Sequence, residues 1–362
     1  MPRAFLAAVM FLVVLELILR AVPMHMMIRY GQGDLAKDAV LAHLHDEGAT
    51  DVAFVGTSMT RDGIAGPSVT RVLESRGLTN VTVGNFAVRG GSPDDDLLIV
   101  RKLLAAPRPP KLIVIGIAPI DFLDREPQWD WLAEYWTPTE WWQAYRREGG
   151  RDAAAVRPYF GRSCVNWLAL RYRTLRYRKR LAELLGSPGA LRVPASAHPI
   201  VGEPYVPRAS LIASKQYGKR QLQGHLDDVL RDGQYPMAER LADELAQTLR
   251  ECRAAGIDVV LIEMPLSRLM RYGLPEGTLD RFRAIARKSA ADGGGASFYT
   301  VDDIGFAPRD DRFFNAQHLN WLGRARFSEA VAHAVVVPRL KGETETKTPG
   351  TTVPGADDDA LK

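Results

Sequence analysis

A three-layer α/β/α domain on a parallel five-stranded sheet is the fold class that the sequence predicts, with a helical insertion inside it and one apolar helix ahead of it. Three observations carry that prediction. Five short runs rich in Val, Ile and Phe are separated by longer helical patterns, so the strands have to be joined by crossovers. Each run ends in a cluster of Gly, Pro, Ser or Asp, the residues that turn a chain at a strand end. The first twenty residues are almost wholly apolar.

That apolar start is uninterrupted from Ala4 to Leu15 and continues past Glu16 as Leu17-Ile18-Leu19 before Arg20. Glu16 and Arg20 are four apart and can pair on one helical face, which lets the span run on towards Met27 and the ~20 residues that a crossing helix needs. No small-x-small cleavage signal follows. The reading is an uncleaved signal anchor over residues 1–28, with the three-residue head in the cytoplasm and the bulk of the chain outside it. Residues 29–50 read as a linker and short helix. His43 and His45 lie two apart there, on different helical faces, and read as solvated rather than metal-binding.

The 362 residues, 46% hydrophobic, are ample for a large core. A net charge of +4 from 47 basic and 43 acidic residues is too balanced to demand nucleic acid. Two cysteines, Cys164 and Cys252, are too few for a metal framework and stand as two thiols or one disulfide. There is no P-loop and no G-x-G-x-x-G after a strand, so no cofactor and no metal are expected.

Taken in order, the first strand is Val52 to Val55, leading into Gly56-Thr-Ser58. A buried parallel strand ending in a tight turn reads this way, although a serine there could equally cap the next helix. Pro67 to Arg76 reads as a helix stopped by Gly77. The second strand is Asn80 to Phe86, followed by the glycine turn Val88-Arg-Gly-Gly-Ser-Pro93. A helix over Asp94 to Leu104 precedes the third strand, Lys111 to Ile117, which ends at Ala118-Pro-Ile-Asp121. After the insertion, a helix from about Met237 to Ala254 leads through Gly256 to the fourth strand, Ile257 to Met264. Ser297 to Val301 is the fifth, and Trp321 to Val336 reads as a closing helix packed on the sheet. This is the flavodoxin-like arrangement in outline.

A parallel sheet gathers the turns after its strands at one edge. Ser58, Gly90 and Gly91, Asp121, Ser267, and finally Asp302, Asp303 and His318 all follow strand ends. A hydroxyl, a glycine turn with backbone N–H groups to offer and a histidine are the parts of an acyl-transfer site: nucleophile, oxyanion hole and general base.

Three blocks of sequence resemble the SGNH/GDSL hydrolase superfamily, and within it the membrane-anchored relatives of the alginate and peptidoglycan O-acetyltransferases. Phe54-Val-Gly-Thr-Ser-Met-Thr60 resembles the nucleophile block, Asn85-Phe-Ala-Val-Arg-Gly-Gly-Ser-Pro93 the glycine block, and Phe314-Asn-Ala-Gln-His-Leu-Asn-Trp-Leu-Gly323 the final block. The resemblance implies Ser58 as nucleophile, His318 as general base, and the N–H groups of Ser58 and Gly90 or Gly91 as oxyanion donors. It further implies an acetyl or other short acyl group, an acyl-ester or polysaccharide substrate, and an integral-membrane acyltransferase as partner. Two positions depart from the pattern. Asn315 stands where the family has an acid three residues before the histidine, with Asp302, Asp303, Asp310 or Asp311 as substitutes. Gly116-Ile-Ala-Pro-Ile-Asp121 lacks the Asn that completes the oxyanion hole. The expected activity is an extracytoplasmic serine esterase or O-acyltransferase acting on a cell-envelope carbohydrate or related ester. The two departures support a second reading, a catalytically impaired binding or assembly subunit of an envelope polysaccharide machinery.

The domain is expected over 51–338, with the insertion at about 122–235. That insertion carries Trp129, Trp131, Trp136, Trp141 and Trp142, which serve core or lid packing, a sugar platform or a membrane surface. Arg171 to Arg180 is a dense basic helix, solvated or facing an anionic lipid or polymer. His198 and His225 have no partners at catalytic spacing. Residues 339–362 carry almost no apolar side chain and read as a disordered tail.

Overall fold

The computed structural model describes residues 3–21, 50–88, 90–123, 133, 136–147, 153–172, several positions between 220 and 230, and 234–342. The linker 22–49, Trp129, Trp131, most of the basic run after Arg171, His198, His225 and the tail beyond 342 lie outside the described residues. The chain divides into two compact units, one comprising Met1–Gly48, Ala105–Arg108 and Arg125–Tyr205, the other Ala49–Leu104, Pro109–Asp124 and Val206–Lys362.

The second unit holds a five-stranded parallel sheet: β1 (Val52–Gly56), β2 (Val83–Asn85), β3 (Leu112–Ile117), β4 (Asp258–Glu263) and β5 (Ser297–Tyr299), in the order β2-β1-β3-β4-β5. Every residue of β1 and β3 is buried, as suits strands covered on both faces. All five expected strands form; β2, β3, β4 and β5 are shorter than the runs expected for them, β2 by the most. Asn80 adopts a left-handed φ of 66°, which places it in the turn before β2. Val301 opens a helical turn, Val301–Ile304, whose start is capped by the Thr300 hydroxyl accepting from Asp303 N–H.

This order reverses direction at β1. The chain steps from β1 outward to β2, then returns through β3, β4 and β5. Right-handed crossovers therefore put the helix after β1 on one face and those leading to β3, β4 and β5 on the other. On the first face, α2 (Ser58–Gly63) and α3 (Gly66–Ser75) pack with α10 (Trp321–Val331). On the other, α4 (Pro93–Leu104) and α9 (Thr278–Asp292) both pack on α7 (Glu239–Ala254). α8 (Arg268–Gly273) is a single short piece after β4. The reversal between β1 and β3 is where open α/β sheets bind ligands, and Ser58 stands on it.

Two glycines let α2 start directly off the sheet. Gly56 and Gly116 are paired neighbours on β1 and β3, and the Thr60 hydroxyl donates to Gly116 O across 3.1 Å. A Cβ on Gly56 would collide with Thr60 and the Gly116 carbonyl, and its φ of +143° excludes side chains in any case. A Cβ on Gly116 would meet Thr60 and Met264 Sδ. Gly116→Ala is expected to cost about 1–3 kcal/mol by overpacking, and Gly56→Ala a further ~1–3 kcal/mol of backbone strain. Urea unfolding of the two variants checks the order.

In the first unit, α1 runs Arg3–Ala21, and Arg20 Nε pairs with Glu16 Oε1 at 3.2 Å as their spacing requires. Phe5, Leu6, Phe11, Leu17 and Ile18 are exposed along it. α1 carries Arg3 at its start and Glu16 and Arg20 in its last turns, and residues 22–28 of the expected spanning segment lie outside the described residues. Among the described residues no helix is long and apolar enough to cross a membrane. α5 (Pro138–Arg147) and α6 (Phe160–Arg171) carry the aromatic cluster. Trp136 is 4% exposed, Trp141 donates to Val156 O at 3.0 Å and packs on Phe160, and Trp142 is 51% exposed on Tyr145. Packing therefore accounts for Trp136 and Trp141. Cys164 and Cys252 are both free thiols, and burial raises Cys252 to about 12, an inert core thiol.

Candidate active site

The pair expected from sequence forms. Ser58 Oγ lies 2.9 Å from His318 Nε2, across 260 residues of chain. Ser58 is the first residue of α2, one past the capping position, which Thr57 holds without a side-chain cap bond. The alternative of a capping serine is thereby removed: the Ser58 hydroxyl is bonded to the histidine. At this position its backbone N–H has no partner within the helix and can donate to a developing oxyanion.

His318 sits in a tight loop fastened at several points. Phe313 and Leu319 form an isolated antiparallel bridge, and Phe314 N–H donates to His318 O at 2.8 Å. Ser267, after β4, caps α8 and donates its hydroxyl to Ala316 O at 2.8 Å. Asn320 caps α10 with its side-chain oxygen and donates to Asp311 O at 2.6 Å. Ser267 belongs to the sheet edge as expected, in the role of holding the histidine loop.

Asn315 holds the ring. Its Oδ1 accepts from His318 N–H at 2.8 Å and Gln317 N–H at 3.0 Å, and lies 3.0 Å from His318 Nδ1. Backbone amides only donate, so the atom facing them is the oxygen, and the ring nitrogen beside it must carry the proton. That fixes the tautomer with Nε2 free to accept from Ser58 Oγ.

The acids considered as substitutes are committed elsewhere. Asp303 Oδ2 accepts from Thr300 N–H and hydroxyl, both at 2.8 Å, and Asp311 pairs with Arg309 at 3.2 Å. Asp310 accepts from Arg268 N–H, and Asp302 lies 3.7 Å from Arg283. Asp303 and Asp311 are corrected on this point: local capping and a neighbouring arginine claim them, and the Nδ1 that they were to orient faces Asn315.

On the other side of the serine, the chain after β2 stays alongside β1. Phe86 N–H donates to Phe54 O at 2.7 Å and Val88 N–H to Gly56 O at 2.8 Å, which keeps this segment beside β1 as far as Gly56, two residues before Ser58. Gly90 turns with φ 69°. Gly91 N–H is spent on Val88 O at 3.2 Å, which removes Gly91 as an oxyanion donor. No hydrogen bond from Gly90 N–H is found among the described residues. After β3, the buried Asp121 carboxylate turns back and accepts from Ala118 N–H at 2.7 Å, which commits it to its own turn.

The nucleophile helix is gripped from both sides. Asn85 Nδ2 reaches Thr60, Arg61 and Ile64 carbonyls at 3.4, 3.2 and 3.1 Å, and Arg324 donates to Ile64 O at 2.8 Å. Neither role was legible in the sequence beyond the presence of Asn85 in the glycine block.

No family model matches the chain, and no curated protein matches it. Among solved structures it is similar to one titled "Crystal Structure of TesA", at 15% identity and a TM-score of 0.38, covering 81% of this chain and 98% of that one.

Behind the glycine turn, Asp94, Asp95, Asp96 and Asp121 are all buried. Arg240 offsets Asp94 at 2.8 Å, and Asp95 accepts from Ser92 N–H at 2.9 Å. Asp96 is raised well above the usual carboxylate range, first by burial and then by Asp121, Asp95 and Asp94. The folded state therefore holds this proton more tightly than the unfolded chain does, and the stability it contributes is lost as pH rises from about 4 through the folded value. Asp96→Asn is expected to be more stable than the wild type at pH 8 by about 1–3 kcal/mol, the desolvation cost of one buried polar group, with the gap narrowing towards pH 4.5. Thermal melts at the two pH values check it.

Among the described residues no group of His, Cys, Asp or Glu could hold a metal ion.

Proposed function

We propose that this chain is a serine-dependent esterase or O-acyltransferase of the SGNH type, acting on a cell-envelope carbohydrate or related ester outside the cytoplasm. The observation that carries the chemistry is the Ser58 Oγ–His318 Nε2 contact of 2.9 Å, with Nδ1 of the same ring on Asn315. His318 Nε2 takes the Ser58 proton as Oγ attacks the ester carbonyl carbon. The carbonyl oxygen becomes an oxyanion within reach of the Ser58 and Gly90 N–H groups. Collapse breaks the ester C–O bond, His318 returns the proton to the leaving alkoxide, and the acyl group stays on Ser58. Water or a sugar hydroxyl then attacks that acyl-enzyme with His318 again as base. The second acceptor separates transferase from esterase.

The exposed apolar side chains of α1 support attachment to a membrane, where an integral-membrane acyltransferase would supply acyl groups. A catalytically impaired binding subunit is favoured by one specific observation: the turn after β3 has no Asn, and its Asp121 carboxylate is spent on Ala118 N–H of the same turn, so it supplies no side-chain oxyanion donor. A fluorophosphonate probe decides between the two. Covalent labelling of the full chain at Ser58, located by peptide mass and lost in His318→Ala, is the expected result. A folded, unlabelled wild type would leave only the binding subunit.

A further inference from the structure

One turn beyond the nucleophile, α2 presents a charged pair on the same face. Ser58, Arg61 and Asp62 are partly exposed, while Met59, Thr60 and Gly63 are buried, so the three form one stripe at i, i+3 and i+4. The Arg61 and Asp62 side chains are only 13% and 18% exposed. Arg61 Nε donates to Asp62 Oδ1 at 2.8 Å and Nη2 to Oδ2 at 3.2 Å, and among the described residues Nη1 has no acceptor.

Three other enclosed arginines tie elements together. Arg324 reaches from α10 to Ile64 O, Arg283 from α9 to Glu263 on β4, and Arg339 spans to Asp258 and Ser297. Among the described residues Arg61 pairs only with its chain neighbour, and an ion pair between adjacent residues holds no second element in place. A largely enclosed guanidinium that joins no second element among the described residues is poised for a group outside the fold. Arg61 and Asp62 lie one helical turn from Ser58 on the same face, about 5 Å along the axis, within reach of a substrate whose ester is held at Ser58. The triad position that would carry a negative charge is the neutral Asn315, so the reacting centre repels anions less than a carboxylate triad does.

We infer that Arg61 is a specificity-determining residue that receives an anionic group, a carboxylate or phosphate, borne by the substrate within a few bonds of the ester attacked by Ser58. Asp62 is the built-in counter-ion that keeps the guanidinium fork planar and oriented until the substrate anion competes for it. The inference deepens the serine-ester reading and rests on it.

The test compares kcat/KM for matched esters with and without a charge: 4-nitrophenyl hemisuccinate against 4-nitrophenyl butyrate for an anion on the acyl side, and O-acetylglycolate against propyl acetate for one on the alcohol side. In Arg61→Gln at least one charged-to-neutral ratio is expected to fall about tenfold, Arg61→Lys to fall less, and Asp62→Asn to raise the same ratio. Inhibition by inorganic phosphate compared with acetate tells which anion the site prefers. Both ratios staying within about twofold of wild type in Arg61→Gln and Asp62→Asn, in protein still labelled at Ser58 by the fluorophosphonate, would overturn the anion site and leave the serine chemistry standing. Absence of both labelling and ester turnover in folded wild type would overturn the two together.

Discussion

Ser58→Ala and His318→Ala are each expected to lower kcat/KM for an activated ester such as 4-nitrophenyl acetate by on the order of 10⁴–10⁶-fold. A serine hydroxyl is a weak nucleophile, and here the group placed to deprotonate it is the ring nitrogen 2.9 Å away. Because the two side chains act as one unit, the double variant should lose no more than either single one. Ser58 Oγ is part-buried and bonded to His318, so its removal leaves the core untouched and the variants should melt near the wild type. Retention of more than about a tenth of wild-type turnover in Ser58→Ala would move the nucleophile elsewhere.

The second large effect is at Asn315. Its oxygen orients His318 but brings no charge to the imidazolium that forms as Ser58 attacks. Loss of the acid in a serine-protease triad costs about 10⁴ in rate, largely through the wrong tautomer, and here the tautomer is already correct. Asn315→Asp is therefore expected to raise kcat by about 10–100-fold, a fraction of that range. Asn315→Leu removes the acceptor for three N–H groups and should lower kcat at least 100-fold while freeing the ring to rotate. Steady-state kinetics on the same ester measure both. An Asn315→Asp enzyme no faster than wild type would mean that the imidazolium is already stabilised by another group.

The sheet was legible because its central strands β1, β3 and β4 are buried on both faces, which writes them as continuous apolar runs, and all five runs in the sequence are strands in the structure. Ser58 and His318 were legible because each follows a strand or its turn with the right chemistry. What stayed hidden depends on where single hydrogen bonds go. Gly91 looks as able as Gly90 to donate, and only the turn geometry spends its N–H on Val88. Asp303 and Asp311 look as able as Asn315 to orient a ring, until Thr300 and Arg309 claim them. The six residues of α2 are too few to show an apolar period, so the helix starting at Ser58, and the stripe that places Arg61 and Asp62 beside it, had no periodic signal.

The grip on the nucleophile helix also sets when the site can exist. Ser58 leaves the ribosome long before its base, which follows 260 residues later. At about 5–20 residues per second that interval lasts roughly 13–50 s, during which Arg324, the clasp on Ile64, has not been made either. A nascent chain thus carries an unarmed serine through most of its synthesis, and reactive acyl donors met on the way find no competent nucleophile.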